Sequence, residues 1–313
     1  MNYAAVFPGQ GAQRAGMGKD FHNAFAEARD VYERASQALG LDLEALCFGE
    51  DPRLGLTEYQ QPAILTTEIA MLQVLRSRFG LEPTCWGGHS LGEYTAMVAA
   101  SVIPLEEAVV LVRERGRLIQ DLVPPEQGGM VAVMARDLDL DALHETLAGL
   151  ELDVANYNSS SQVVLSGRVA EVERAGERIR EHPALCRARI VSLNVSAPFH
   201  SRLMSAASDR FRPLLEKSSL HWRVELAGTV VSNFGGGFHL PQREALTTAL
   251  AGQLCSPVRW IDNMKALIAN SEAIVEIGPA RPLRAFFASL GVRATTVTTA
   301  REAATEFANP RTT

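Results

Sequence analysis

Five residues, Gly88-His89-Ser90-Leu91-Gly92, set a serine between two glycines in the spacing GxSxG. A serine so placed sits on a sharp strand-to-helix turn whose backbone leaves no room for side chains at the flanking positions. The turn lifts the hydroxyl to the head of a sheet and puts it at a helix N-terminus, which suits attack on an acyl carbon. There the backbone N–H of Leu91 can help to stabilise an oxyanion. A plainer reading, in which Ser90 only caps the helix that follows, leaves the two glycines unexplained.

An oxyanion hole needs a second N–H. The glycine-punctuated turn Phe7-Pro8-Gly9-Gln10-Gly11-Ala12-Gln13, directly after a strand candidate, can supply one, or can be only a connecting loop. A serine also needs a base, and the chain has seven histidines. His22, His144 and His182 fall on helix surfaces or in a polar turn and read as solvated. His221 and His239 sit near loops with no motif, and the side chain of His89 is directed away from its neighbour Ser90. His200, within Ser196-Ala197-Pro198-Phe199-His200-Ser201, lies in a loop just before a helix, a context that suits a base hung over the serine. Spacing alone leaves that assignment open.

The elements that must position these groups follow an α/β pattern. Strand candidates are Ala4 to Phe7 and Pro83 to Gly88. Helices are expected over Phe21–Leu39, Gln61–Phe79, Leu91–Ala100 and Glu106–Gln120. From a hinge-like break at Gly128-Gly129 the pattern changes. Strands at Met130–Met134, Leu152–Asn156, Gln162–Ser166 and Ala188–Leu193 alternate with helices at Leu140–Leu147 and Val169–Arg180. The order β-α-β-β-α-β is the ferredoxin-like signature, with Tyr157 to Ser161 as the turn between its middle strands. This reads as a small domain, 128–195, inserted into a large one made of 1–127 and 196–313. In the last part, helices are expected at Ser201–Glu216, Glu244–Leu254 and Trp260–Ala269, with strands at Thr229–Asn233 and Ala273–Ile277. Arg301 onward reads as a frayed tail.

Bulk properties narrow the class. With 313 residues, 47% hydrophobic and 21% charged, the chain can bury a full core without staples. No apolar run approaches the ~18 residues of a membrane span, and the N-terminal residues lack the basic and apolar segments of a signal peptide. Cys47, Cys85, Cys186 and Cys255 form no CxxC pair, which argues against a zinc site and a disulfide framework and for a reducing cytoplasm. A formal net charge of −6 gives no support to nucleic-acid binding.

These residues are similar to the malonyl-CoA:acyl carrier protein transacylase family, which includes free-standing polyketide synthase acyltransferases. The matching pieces are FPGQGAQ at Phe7 to Gln13, GHSLGEY at Gly88 to Tyr94 and VRERG at Val112 to Gly116. NYNSSSQVVLSG at Asn156 to Gly167, SAPFHS at Ser196 to Ser201, QLCSPVRW at Gln253 to Trp260 and EIGP at Glu276 to Pro279 complete the set. They run in family order over nearly the whole chain. The resemblance implies an α/β-hydrolase-like large domain with an inserted ferredoxin-like small domain. It implies Ser90 as the malonyl-carrying nucleophile, His200 as base and then acid, and Gln253 as the residue whose carbonyl orients that histidine. It further implies the oxyanion amides of Gln10 and Leu91, and a grip by Arg115 on the free malonyl carboxylate. Only register with the family motif separates Arg115 from Arg113 and Arg117; a guanidinium suits the task because it grips both carboxylate oxygens at once.

Phe199 resembles the malonyl-selecting form of its motif, in which a bulky ring crowds the acyl α-carbon. Departures from the pattern are mild: Gly87 where Ala is common, Ser160-Ser161 in place of a Pro-containing turn, and Arg281-Pro282 after EIGP. The implied reaction is malonyl transfer from malonyl-CoA to the phosphopantetheine thiol of an acyl carrier protein, in fatty acid or polyketide biosynthesis. No metal and no cofactor are expected, since malonyl-CoA is a substrate and the partner carries the phosphopantetheine. The competing expectation is an acyl hydrolase that clears carrier proteins; such a relative is expected to lack the carboxylate-binding arginine. An acidic carrier protein wants a locally basic surface, for which Arg187, Arg189, Arg202 and Lys217 are candidates.

Overall fold

The computed structural model describes residues 2–122, 127–195 and 197–307. Strand β1 (Tyr3–Phe7) is buried at all but its first position, as a central parallel strand must be. Helices α1 (Lys19–Ala24), α2 (Ala26–Leu39) and α3 (Leu43–Phe48) lead into α4 (Thr57–Phe79). Strand β2 (Pro83–Gly88), α5 (Leu91–Ala99) and α6 (Leu105–Leu122) follow.

Next come β3 (Gly128–Met134), α7 (Leu140–Leu147), β4 (Leu152–Ser159), β5 (Gln162–Arg168), α8 (Val169–Glu181) and β6 (Arg189–Ser192). The chain finishes through α9 (Ser205–Ser218), α10 (Arg243–Gly252), α11 (Trp260–Ala269), β7 (Ala273–Ile277), α12 (Leu283–Ser289), β8 (Ala294–Val297) and α13 (Ala300–Phe307).

Two sheets result. The first is parallel, in the order β2-β1-β7-β8. Its register sets Phe7 opposite Gly88, so the turn after β1 and the GxSxG turn after β2 leave the sheet side by side. The carboxyl ends of parallel strands are where open α/β sheets place ligands. The second sheet is antiparallel, in the order β4-β5-β3-β6, with α7 and α8 on one face, the ferredoxin-like arrangement expected. Alternation along its strands divides the packing. Val131, Val133, Val163 and Leu165 face the two helices, whereas Met130, Ala132 and Val164 join the main core. The edge strand β4 is also tied to the segment before α11: Tyr157 N–H donates to Val258 O at 2.9 Å and Val258 N–H to Ala155 O at 2.8 Å.

Several expected elements differ. The helix over Phe21–Leu39 is two helices, broken at Phe25, whose extended backbone (φ −131°, ψ 131°) lets its ring pack on Phe79. Helix α4 begins at Thr57, not Gln61, and runs through Pro62. Its first turn is held against α6, where a Cβ on Gly116 would fall 2.6 Å from Thr57 O. Gly128-Gly129 is no hinge but the start of β3; a Cβ on Gly128 would lie 2.3 Å from Pro198 Cδ, so glycine allows close passage. Tyr157 to Ser159 extend β4, leaving only Ser160-Ser161 for the turn.

Thr229–Asn233 is not a strand. A 3₁₀ turn runs to Thr229, and only the single bridges Trp86–Val230 and Val231–Phe238 follow, because the turn at Gly235-Gly236-Gly237 folds the segment back on itself. Ser201 precedes a 3₁₀ turn, Arg202–Met204, and α9 starts at Ser205. Arg301 to Phe307 are helical, with Phe307 against Tyr3, while 308–313 lie outside the described residues, as do 123–126 and Ser196. Helices α3 and α12 and strand β8 had no clear sequence signal. Among the described residues no helix is long and apolar enough to cross a membrane.

Candidate active site

The turn between β2 and α5 is crowded by backbone. A Cβ on Gly88 would fall 2.0 Å from the Gly92 carbonyl, and one on Gly92 would fall 2.2 Å from Phe7 O. Ser90 takes φ 53° and ψ −103°, a costly conformation for a side-chain-bearing residue that must be held by its surroundings. Asn233 holds it. The Ser90 N–H donates to Asn233 Oδ1 at 2.8 Å, and Asn233 Nδ2 donates to Gly88 O at 2.8 Å.

His200 also has positive φ, 56°, and its N–H donates to Leu254 O at 3.1 Å. Its Nε2 lies 2.8 Å from Ser90 Oγ, and its Nδ1 lies 2.7 Å from the main-chain oxygen of Gln253. A carbonyl oxygen only accepts, so Nδ1 carries the proton and Nε2 is left as the acceptor for the serine proton. Burial, and after it the charge of Arg115, push His200 down to about 3, which keeps the imidazole a neutral base.

Arg115 is 1% exposed. Its Nη2 donates to Ser90 Oγ at 3.2 Å and to Gln253 Oε1 at 2.8 Å, and its Nη1 donates to Gln61 Oε1 at 3.0 Å. Among the described residues its buried Nε has no hydrogen-bond partner and no carboxylate forms a direct ion pair with it, the nearby negative charge being that of Glu93. The two neighbours are different: Arg113 pairs with Glu58 at 3.0 Å and Arg117 with Glu114 at 2.8 Å. Taking a guanidinium out of water costs several kcal/mol, and neutral acceptors recover only part of it. A buried cation of this kind beside a serine hydroxyl can receive an anionic group.

Gly9 rests directly on the elbow, where a Cβ would lie 2.4 Å from His89 O and 3.6 Å from Leu91 N. Glycine there lets the turn carrying Gln10 approach the start of α5. Among the described residues the backbone N–H groups of Gln10 and Leu91 donate to no protein acceptor, so both are available to an oxyanion. The Gln10 side chain faces elsewhere, bonded to Gln60 at 2.6 Å and to Gln61 at 3.1 Å.

A cavity of about 280 Å³ opens beside the base, lined by His144 and Tyr157 from the antiparallel unit and by His200, Arg202, Cys255 and Pro257. Phe199 does not line it; its ring packs in the main core at 8% exposure, next to the base. Of the basic candidates, Arg202 sits at this cavity, ion-paired to Asp153 at 2.7 Å, whereas Arg187, Arg189 and Lys217 are exposed away from its lining. Among the described residues no three His, Cys, Asp or Glu side chains gather as a metal-holding group.

The sequence missed Asn233, Gln61, Glu93 and His239. Glu93, fully buried, meets His239 Nε2 at 2.6 Å. Ser90 and Glu93 do have capping-box spacing, but Glu93 takes the N–H of Asn233, at 3.2 Å, instead of that of Ser90. No local signal marks His239, whose partner is 146 positions away. His89 points away from Ser90, to Asn158 Oδ1 at 2.8 Å.

The acyl transferase domain model matches residues 5–227 of this chain. A malonyl CoA-acyl carrier protein transacylase of Bacillus subtilis (strain 168) is 35% identical over 301 residues, 94% of this chain and 92% of that protein. The crystal structure of FabD from Acinetobacter baumannii superposes with a TM-score of 0.90 at 32% identity, covering 98% of this chain and 97% of that one. A third structure, described as a type II PKS acyl-carrier protein in complex with its malonyl-transacylase (PlMCAT:AntF), gives 0.87 at 33% identity, with 99% and 100% covered. With Ser90, Arg115, His200 and Gln253, from four of those motifs, brought into one buried site, the chain belongs to the acyl transferases, in the family of malonyl CoA-acyl carrier protein transacylases.

Proposed function

We propose that this protein moves malonyl from malonyl-CoA to the phosphopantetheine thiol of an acyl carrier protein through an ester on Ser90. The observation that carries the reading is Arg115: buried, in no direct ion pair with a carboxylate among the described residues, and 3.2 Å from the serine hydroxyl. An acyl group with a free carboxylate supplies a direct ion-pair partner and is thereby oriented with its thioester carbon at Ser90.

In the first half-reaction Ser90 Oγ gives its proton to His200 Nε2 and attacks the thioester carbon. The oxygen that becomes negative accepts from the N–H groups of Gln10 and Leu91. The C–S bond then breaks, and the departing CoA sulfur takes the proton from His200. In the second half-reaction the phosphopantetheine thiol gives a proton to His200 and attacks the ester carbon, and Ser90 Oγ leaves with that proton. The Gln253 carbonyl holds the imidazole in the required tautomer throughout, in place of the carboxylate of a Ser-His-Asp triad.

Phe199 is assigned the crowding of the acyl α-carbon, on its position next to the base. The cavity beside His200 is assigned to the thiol-bearing arm. Arg202 is the basic candidate best placed for the carrier protein, although Asp153 shares its charge. A cytoplasmic location is proposed on the four cysteines, all free. The test is intact-mass analysis after incubation with malonyl-CoA: a malonyl adduct that disappears in Ser90→Ala and on addition of carrier protein is expected. A folded protein that takes no adduct overturns the assignment.

A further inference from the structure

Glu93 lies on the first turn of α5, three residues beyond the nucleophile, and is fully buried. Its carboxylate gathers three donors: His239 Nε2 at 2.6 Å, the Asn233 N–H at 3.2 Å, and Gln253 Nε2. A buried carboxylate is tolerated when its lone pairs are taken up in this way. His239 is itself fixed, its N–H donating to Val230 O at 2.9 Å and its side chain 2% exposed.

The consequence falls on Gln253. A carboxylate accepts and cannot donate, so it decides which end of a neighbouring amide faces it. Nε2 of Gln253 turns to Glu93 and to Ser90 O, the latter at 3.0 Å. Oε1 is left facing Arg115 Nη2 at 2.8 Å. The reversed amide would set its NH2 against the guanidinium, donor to donor, and its oxygen against the carboxylate. One residue thus serves two parts of the site, its main chain the base and its side chain the cation.

We propose that the buried Glu93–His239 pair is a positioning device that locks the Gln253 amide in one orientation and thereby aims Arg115 at carboxylate-bearing acyl groups. Acyl selectivity is then set one layer beneath the groups that touch substrate. The inference rests on the reading of Arg115 given above.

The test compares kcat/KM for transfer from malonyl-CoA and from acetyl-CoA to an acyl carrier protein, using the full chain. Glu93→Gln is nearly isosteric but can donate as well as accept, which frees the Gln253 amide to turn. The malonyl-to-acetyl ratio is expected to fall about tenfold, the scale of one weakened hydrogen bond to a charged group, with malonyl KM raised. His239→Gln keeps a donor and should keep the ratio, whereas His239→Leu should lower it; this pair decides the matter if Glu93→Gln does not fold. Equal slowing with both acyl groups marks a merely structural role and overturns the proposal. So does an unchanged ratio in Glu93→Gln while Arg115→Ala lowers it. A ratio that survives Arg115→Ala overturns the reading of Arg115 and this inference with it.

Discussion

Arg115 donates to the hydroxyl of Ser90 across 3.2 Å, while among the described residues no carboxylate pairs with it directly and Glu93 is reached only through Gln253. On the proposed reading, a cation in that position biases Ser90 toward acyl groups that bring their own negative charge. Arg115→Ala should therefore lower kcat/KM for malonyl-CoA about a hundredfold, from roughly 3 kcal/mol of lost charged hydrogen bonding, and leave acetyl transfer little changed. Steady-state assays with both thioesters measure this. Fast hydrolysis of acetyl-loaded carrier protein by the unaltered enzyme would instead favour the acyl-hydrolase alternative.

The same charge acts on the base. Burial first, then Arg115, hold His200 near 3 instead of the usual 6.5. Removing the positive charge makes protonation easier, so in Arg115→Ala the His200 titration should move up yet stay below 6.5, because burial remains. An imidazole NMR titration reads this directly.

Folding is linked to the same group with a definite sign. Between about 3 and 6.5 the unfolded chain binds a proton at His200 that the folded chain does not. The contribution of this residue to stability is thus fully present above pH 6.5 and falls as pH drops through that window. Denaturant melts from pH 7 to 4 should show a shallower loss of stability in His200→Ala than in the unaltered protein.

Asn233→Ala removes both contacts that hold the strained elbow, leaving the Ser90 N–H and the Gly88 carbonyl without their partner. The expected cost is about 1–3 kcal/mol of stability for each group left unsatisfied, offset where water enters. Acylation of Ser90 should slow about tenfold or more, because Ser90 no longer rests in its attacking conformation. Chemical denaturation and the rate of adduct formation give the two numbers.

Gly92→Ala would place a Cβ 2.2 Å from the Phe7 carbonyl, a backbone atom that cannot swing aside. β1 and the elbow must separate, and with them the turn carrying Gln10 and the N–H of Leu91. A loss of about a hundredfold in acylation rate, the scale of one oxyanion donor, is expected in a protein that still folds.

Legibility in the sequence followed the range of the forces involved. The GxSxG turn was readable because backbone crowding at Gly88 and Gly92 is local, and α7, confined to Leu140–Leu147, was read to the residue from its own periodicity. Asn233, Glu93 and His239 were not readable, since each acts on partners 140 or more positions away. The segment Thr229–Asn233 has strand-like composition, yet it makes only a single bridge to β2 before Asn233 turns to the elbow and Glu93. Local propensity there yields to the site. Pro62 hid the first turn of α4, which contacts with α6 hold in place despite the proline.

The proposed base His200 and nucleophile Ser90 come from positions 110 apart, and Arg115 meets Gln253 across 138. Such a site cannot assemble piecemeal. Loop closures of that length are completed late in folding, so nascent or truncated chains lacking residues beyond His200 carry a serine with no chemistry. Malonylation of Ser90 would thus serve as a chemical stamp of the finished native topology, one that can be read on refolding mixtures without any spectroscopic probe.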